Sequence, residues 1–189
     1  MENENNKNEN EALRSAMKVY AEIEQKVYEA EHASKDIAAG KGNQIEAEEK
    51  TSIDRAASDS ADGQQILRNE LEQSYREVLG GIIEYIHKGK PLYIPISVET
   101  YPGGRERIMT TKLLDLERNA YYACYTSKEE ASRDHHCKRV IGMELSRLLR
   151  KIMSEPDITG LMLDPYSTHR LILGRDTIDM LLQAEKEWH

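Results

Sequence analysis

The sequence predicts an α+β domain: a mixed, largely antiparallel sheet of about five strands packed by helices, preceded by a helical N-terminal arm. Three observations predict it. Apolar residues recur at helical spacing before residue 90. Short apolar or alternating runs, bounded by Pro, Gly and Asn, follow between residues 92 and 126. Charge is also unevenly divided. Residues 1–60 hold 14 Asp/Glu against 8 Lys/Arg, a net of −6, whereas the remainder holds 20 against 18 and is nearly balanced. The chain thus divides into an acidic arm and linker, residues 1–63, and a domain with its leading helix, residues 64–189.

Residues 1–10 are rich in Asn and Glu and offer almost nothing apolar against the entropy of ordering, so they read as disordered. From Leu13, steps of 3, 4, 3, 4 and 3 through Ala16, Tyr20, Ile23, Val27 and Ala30 form a heptad seam. The seam is short and two positions are Ala, which leaves two readings open: a self-pairing coiled coil, or one helix docked on its own domain. Gly40, Gly42 and Gly63 punctuate a linker over residues 39–63. The next helix spans residues 64–88. Leu67, Leu71, Tyr75, Val78, Ile82 and Ile86 mark its buried face. Gly80 and Gly81 weaken its middle by ~1 kcal/mol each and suit a kink or a close helix contact. Gly89 and Pro91 end it.

Leu92–Val98 reads as a strand, and Pro95, lacking a donor, places it at an edge or a bulge. A turn at Tyr101–Gly104 leads to a second strand over residues 107–116. A turn at Glu117–Asn119 leads to a third over 120–126, and the three form an antiparallel meander. Ser127 and Glu130 make a capping box for a short helix. A helix over 141–154 buries Ile141, Leu145, Leu148, Leu149 and Ile152. Strands over 159–163 and 170–173 flank the turn Asp164–Ser167, and Asp176 caps a last helix over 177–187.

An isoelectric point near 5.4 and a net charge of −8 exclude a general nucleic-acid binder, which needs a basic footprint. No apolar run reaches the length of a membrane helix, and the residues MENENNKNEN show no secretory pattern. A cytoplasmic location is expected, with Cys124 and Cys137 reduced. Ten Tyr, no Phe and one Trp fit a thin core edged by Tyr hydroxyls.

Asp134-His135-His136-Cys137 spells the tetrapeptide of protein palmitoyltransferases, where it lies in a cysteine-rich zinc region between membrane helices. This chain has neither, and adjacent loop residues do not converge on one ion, so no metal is assigned. Cys137 beside His136 is adjacency rather than a catalytic pair. A G-x-S-x-G elbow and a phosphate loop are both missing from the sequence. No catalytic residue and no cofactor are assigned. Two interaction candidates stand out. Arg147, Arg150 and Lys151, with Lys138 and Arg139 nearby, form a basic face. It reads as a solvated helix side or as a docking patch for an acidic partner, the chain's own arm included. Asp164 and Tyr166, with His169, mark a polar turn that suits a small pocket.

Four segments carry a family resemblance. They are Leu92–Ile96, Tyr125–Ala131, Gly160–Tyr166, and Leu171–Leu173 leading into Asp176–Ile178. Through them the stretch from Pro91 to Leu182 resembles the N-terminal domain of the SseB family, a bacterial family named for enhanced serine sensitivity. The resemblance implies an α/β domain of a bacterial cytosolic protein and carries over no catalytic residues. The family usually has Asn where this chain has Asp164; either side chain closes an Asx turn. The leading expectation is a non-catalytic protein-interaction or regulatory module. The alternatives are a small-molecule-binding or enzymatic domain with a pocket near Asp164, and a weak homo-oligomer held by the heptad seam.

Overall fold

The computed structural model of the chain describes residues 4–38, 61–135 and 137–187. The first helix, α1 (Glu4–Ala38), and the second, α2 (Ala61–His87), run antiparallel. Leu13 lies where a Cβ on Gly81 would meet it at 3.5 Å. Further along, the rings of Tyr20 and Tyr75 stand 5.4 Å apart, and Arg68 reaches Glu31 at 3.1 Å. The heptad seam therefore faces α2 of the same chain. Leu13, Met17 and Ala30 are buried, with Ala16 and Tyr20 packed against the core. Met17 lies off the seam, so the docking face is wider than a coiled-coil stripe. Each fully buried side chain of this size contributes roughly 1.5–3 kcal/mol.

Both ends of the arm differ from the sequence expectation. Residues 4–10 are helical rather than disordered, since extending a docked helix costs far less than nucleating one. The second helix begins at Ala61, so Gly63 lies inside it. The rest of the predicted linker, residues 39–60, lies outside the described residues.

The strands form two sheets. In the first, β1 (Pro91–Thr100) lies between β2 (Glu106–Thr110) and β5 (Val140–Glu144), antiparallel to both. In the second, β3 (Lys112–Leu114), β4 (Ala120–Cys124), β6 (Gly160–Leu163) and β7 (Leu171–Gly174) lie in that order. There β4 and β6 are parallel and the other pairs antiparallel. Tyr93 and Tyr125 exchange backbone hydrogen bonds of 2.9 and 2.8 Å and stitch the sheets together. Helices α3 (Lys128–Ser132), α4 (Leu145–Ser154) and α5 (Arg175–Glu187) complete the fold.

This is an α+β fold with an N-terminal helix, carrying seven strands among the described residues where about five were expected. The single strand expected over 107–116 is interrupted at Thr111, where the chain passes from one sheet to the other. Val140–Glu144 is a strand, and the helix expected from 141 starts at Leu145. Pro95 is on a central strand rather than an edge. It sits where β1 changes partner, paired with β5 through Pro95 and with β2 from Ile96. Along one side of β1 the bonding partner changes there from Tyr125 to Thr111, whose N–H donates to the Pro95 carbonyl at 3.0 Å. The missing donor therefore falls in a gap between partners.

The core joins all layers. Val78 and Ile82 of α2, Leu92 and Ile94 of β1, Leu148 and Ile152 of α4, Leu161 and Leu163 of β6, and Ile178 and Leu181 of α5 form one buried cluster with Leu13 and Met17.

Candidate functional site

A connected polar grouping lies at the carboxyl ends of the parallel pair β4 and β6. Asp164 follows β6 in a left-handed conformation, with φ of 48°, which Asp tolerates better than most residues. Its N–H donates to the Cys124 carbonyl at 2.9 Å, and its own carbonyl accepts from Ser167 at 2.9 Å, closing the turn. The buried carboxylate accepts two bonds from Thr126, from the backbone N–H at 2.8 Å and from the hydroxyl at 2.6 Å. Burial holds the Asp164 carboxyl above the usual range; the Thr126 bonds oppose this, Glu130 adds to it and Arg14 opposes it.

Arg14 of α1 covers this end of the sheet. Its Nε donates to the Thr126 hydroxyl at 2.7 Å and its Nη2 donates to the Ser127 hydroxyl. The Glu130 carboxylate is 3.6 Å away. Ser127 is the cap of α3, its hydroxyl accepting from the Glu130 N–H at 3.1 Å. Beside this group Tyr125 donates to the buried Asp134 carboxylate at 2.7 Å. Burial, the Asp134 bond and its charge push the Tyr125 phenol far above its ordinary value. Burial, with a smaller contribution from Asp164, pushes the Cys124 thiol well up. Cys124 is therefore a thiol at neutral pH, not the thiolate a nucleophile requires.

The two candidates from the sequence fare differently. Asp164 is closed over by Thr126, while the Tyr166 ring is 47 % exposed on the turn. A cleft of 520 Å³ opens beside this turn but does not reach Asp164. Tyr20, Glu24 and Tyr28 of α1 line one wall, and Ser167, Thr168 and Arg170 the other. Two of the three cations of the basic face on α4 are paired. Arg150 donates to Glu185 of α5 at 2.7 Å. Lys151 pairs with Glu155 and lies 5.0 Å from the centre of the Tyr122 ring. Arg147 is exposed. From α1, Arg14 bonds to the Thr126–Glu130 segment and Glu31 to Arg68 of α2.

Of the palmitoyltransferase-like string, Asp134 is engaged by Tyr125, His135 is exposed and the Cys137 thiol contacts the Arg139 carbonyl at 3.6 Å. His136 lies outside the described residues. Among those described, no three His, Cys, Asp or Glu side chains gather as a metal site requires.

One surface was not singled out from the sequence. The α1–α2 pair opens between its helices into a groove of 460 Å³. It is lined by Val19 and Ile23 of α1 and by Ile66, Glu70, Gln73 and Glu77 of α2, among others. Val19 is 45 % and Ile66 58 % exposed. The signal was present: Val19 precedes the seam residue Ile23 by one turn, and Ile66 adds an apolar position beside Leu67. Both fall off the strongest face and so do not strengthen either periodicity. Comparisons with protein-family models, curated proteins and solved structures return no match.

Proposed function

We propose that this chain is a non-catalytic protein-interaction module, an SseB-like domain of the bacterial cytoplasm that receives its partner on the α1–α2 pair. One observation carries the reading: Val19 and Ile66 stand about half exposed in an open groove between two helices. An apolar groove flanked by polar side chains is the usual geometry for docking a helix. The polar residues at the sheet end support the same reading from the other side. Asp164, Thr126, Ser127, Asp134 and Tyr125 are engaged with one another or with Arg14, which suits holding elements together more than attacking a substrate. The free thiols Cys124 and Cys137 suit a reducing compartment.

The test is photo-crosslinking in bacterial cells with a benzophenone amino acid at position 66, and at the fully exposed Leu116 as control. A discrete adduct of one identified protein from position 66, absent from 116, is expected. Identical smears from both positions, or no adduct from either, would overturn the reading.

A second reading rests on the cleft between α1 and residues 167–172. Arg170 and Glu24 both line it, and the Arg170 guanidinium has no partner among the described residues. It suits a small polar ligand, and the volume is in the range of small-molecule sites. A thermal-shift screen of small polar metabolites tests it: a hit lost in Arg170→Ala supports it, and a hit indifferent to that change counts against it.

A further inference from the structure

The groove between α1 and α2 also indicates what kind of partner it takes, and this inference rests on the interaction-module reading above. Along α2, four of its six lining residues, Ile66, Glu70, Gln73 and Glu77, follow steps of 4, 3 and 4, which is one straight stripe on a helix, with Asn69 and Ser74 beside it. The stripe is roughly 16 Å long at 1.5 Å per residue. Both walls are helical, so neither offers an unpaired backbone edge for strand addition. Recognition must therefore run through side chains along a line, the requirement another helix meets with residues at i, i+3, i+4 and i+7.

The charge of the groove is one-sided. Elsewhere on α2, Glu72 is paired with Arg76 at 2.5 Å and Glu84 with Lys88 at 2.6 Å. On the groove stripe, Glu70 has no partner among the described residues, and Glu77 accepts only from the neutral Gln73 amide at 3.1 Å. The two uncompensated carboxylates stand seven residues apart, two turns of the same face, on a chain whose net charge is −8. We infer that the partner is an amphipathic helix whose apolar stripe seats on Val19, Ile23 and Ile66, with Lys or Arg two turns apart facing Glu70 and Glu77. The apolar floor supplies affinity. The exposed ion pairs add only ~0.2–1 kcal/mol each and mainly fix orientation and speed encounter.

The test uses two fluorescein-labelled synthetic helices with the same leucine stripe, one flanked by lysine and one by glutamate, titrated with the full chain and read by anisotropy. The lysine helix is expected to bind and the glutamate helix to bind at least tenfold more weakly. Ile66→Ser, which changes no charge, should weaken the lysine helix about tenfold, as loss of ~1.4 kcal/mol predicts. Val19→Ser serves as the second floor variant. Glu70→Gln with Glu77→Gln should weaken binding about threefold at low salt and much less at high salt. Unchanged denaturation midpoints certify that these surface variants fold. A glutamate helix that binds as well as the lysine helix, and still depends on Ile66, overturns the partner chemistry but leaves the docking groove standing. Binding of the lysine helix that ignores both Ile66→Ser and Val19→Ser marks non-specific charge attraction and overturns the proposal, while the crosslinking experiment judges the module reading separately. Two occupants from the chain itself are also tested. Dimerisation abolished by Ile66→Ser assigns the groove to a second copy. Affinity that rises when residues 39–60 are exchanged for a glycine-serine linker assigns it to the chain's own linker. Either result overturns the inference.

Discussion

Arg14 and Asp164 share one hydroxyl. The Arg14 guanidinium donates to Thr126 Oγ1 at 2.7 Å, and the same oxygen donates its hydrogen to the Asp164 carboxylate at 2.6 Å. A residue of the N-terminal helix is thereby coupled, through one Thr, to the turn after β6. The relay explains how an acidic, polar arm stays on the domain: Leu13 and Met17 supply the burial, and Arg14 between them fixes the register.

Arg14→Ala should therefore destabilise the protein by about 1–2 kcal/mol. It removes two hydrogen bonds worth ~0.5–1.5 kcal/mol each and a long, partly buried ion pair to Glu130 worth less. Urea denaturation measures the loss. Hydrogen exchange should show α1 amides gaining more than those of β4, because Thr126 keeps its bond to Asp164. Arg14→Lys, which cannot reach both hydroxyls as a fork does, should recover only part of the loss.

Asp164→Asn should make the protein more stable at neutral pH and less sensitive to pH. Burial raises the Asp164 pKa above its ordinary 3.8, so between 3.8 and the raised value the folded state binds more protons than the unfolded state. Stability contributed by this group accordingly falls as pH rises through that window and stays low above it. Asn has no charge to desolvate, accepts from the Thr126 N–H, and tolerates the left-handed φ of 48°. Denaturant midpoints at several pH values from 3.5 to 7 provide the check. A wild type that gains stability as pH rises through this window, with a variant that is less stable at pH 7 and lacks that rise, would show that the charge itself, through Arg14, holds the turn.

How far these features were legible in the sequence depended on their range. The buried face of α2 and the strands around Leu92, Tyr122 and Leu161 follow local periodicity, and that periodicity could be read directly. The turn at Asp164 was marked by its Asp-Pro pair. The relay itself was not visible, because Arg14 and Thr126 are 112 residues apart and a single Arg on the flank of a heptad carries no pattern. Val140–Glu144 was misread because Val140, Ile141 and Met143 fit a helix as well as a strand. Only pairing with β1 decides between the two. The exchange of sheets at Thr111 is likewise a property of partners. The partners of the basic face of α4 were legible only in part. Lys151 and Glu155 form an i,i+4 pair that the sequence already offered, whereas the Arg150 partner, Glu185, lies on another helix.

Arg175→Ala should cost about 2–3 kcal/mol, more than any single surface ion pair here. The guanidinium donates to the carbonyls of Ile152, Glu155 and Ile158 at 3.1, 3.0 and 2.8 Å through one nitrogen, and to Met153 at 3.0 Å through another. It thus binds the C-terminal end of α4, where carbonyls lack helical partners and a cation is favoured. Lysine carries the charge without the planar fork, so Arg175→Lys should retain less than half of the stabilisation. Thermal denaturation of the three proteins orders them. Equal midpoints for Arg and Lys would show that charge alone, not the geometry of the four bonds, holds this end.

Gly160→Ala should be the most damaging small substitution in the sheet. A Cβ at Gly160 would lie 2.1 Å from the Leu173 carbonyl oxygen and 3.1 Å from its carbon. Gly160 pairs with Gly174 at the start of β6, and its other neighbour, Tyr121, is on β4. Relief therefore requires β6 and β7 to part, with loss of ladder bonds and of packing by Leu161 and Leu173. A cost of about 3 kcal/mol is expected for such overpacking against backbone, against less than 1 kcal/mol at Gly80, whose Cβ position is open and where Ala improves helix propensity. Paired denaturation of Gly160→Ala and Gly80→Ala tests the contrast. The first should unfold at lower denaturant, and the second should match or exceed the parent. A Gly160→Ala protein of parental stability would mean that β7 is free to shift away from β6 at little cost, and that α5, which follows β7 directly, is held by Arg175 and the core rather than by the strand.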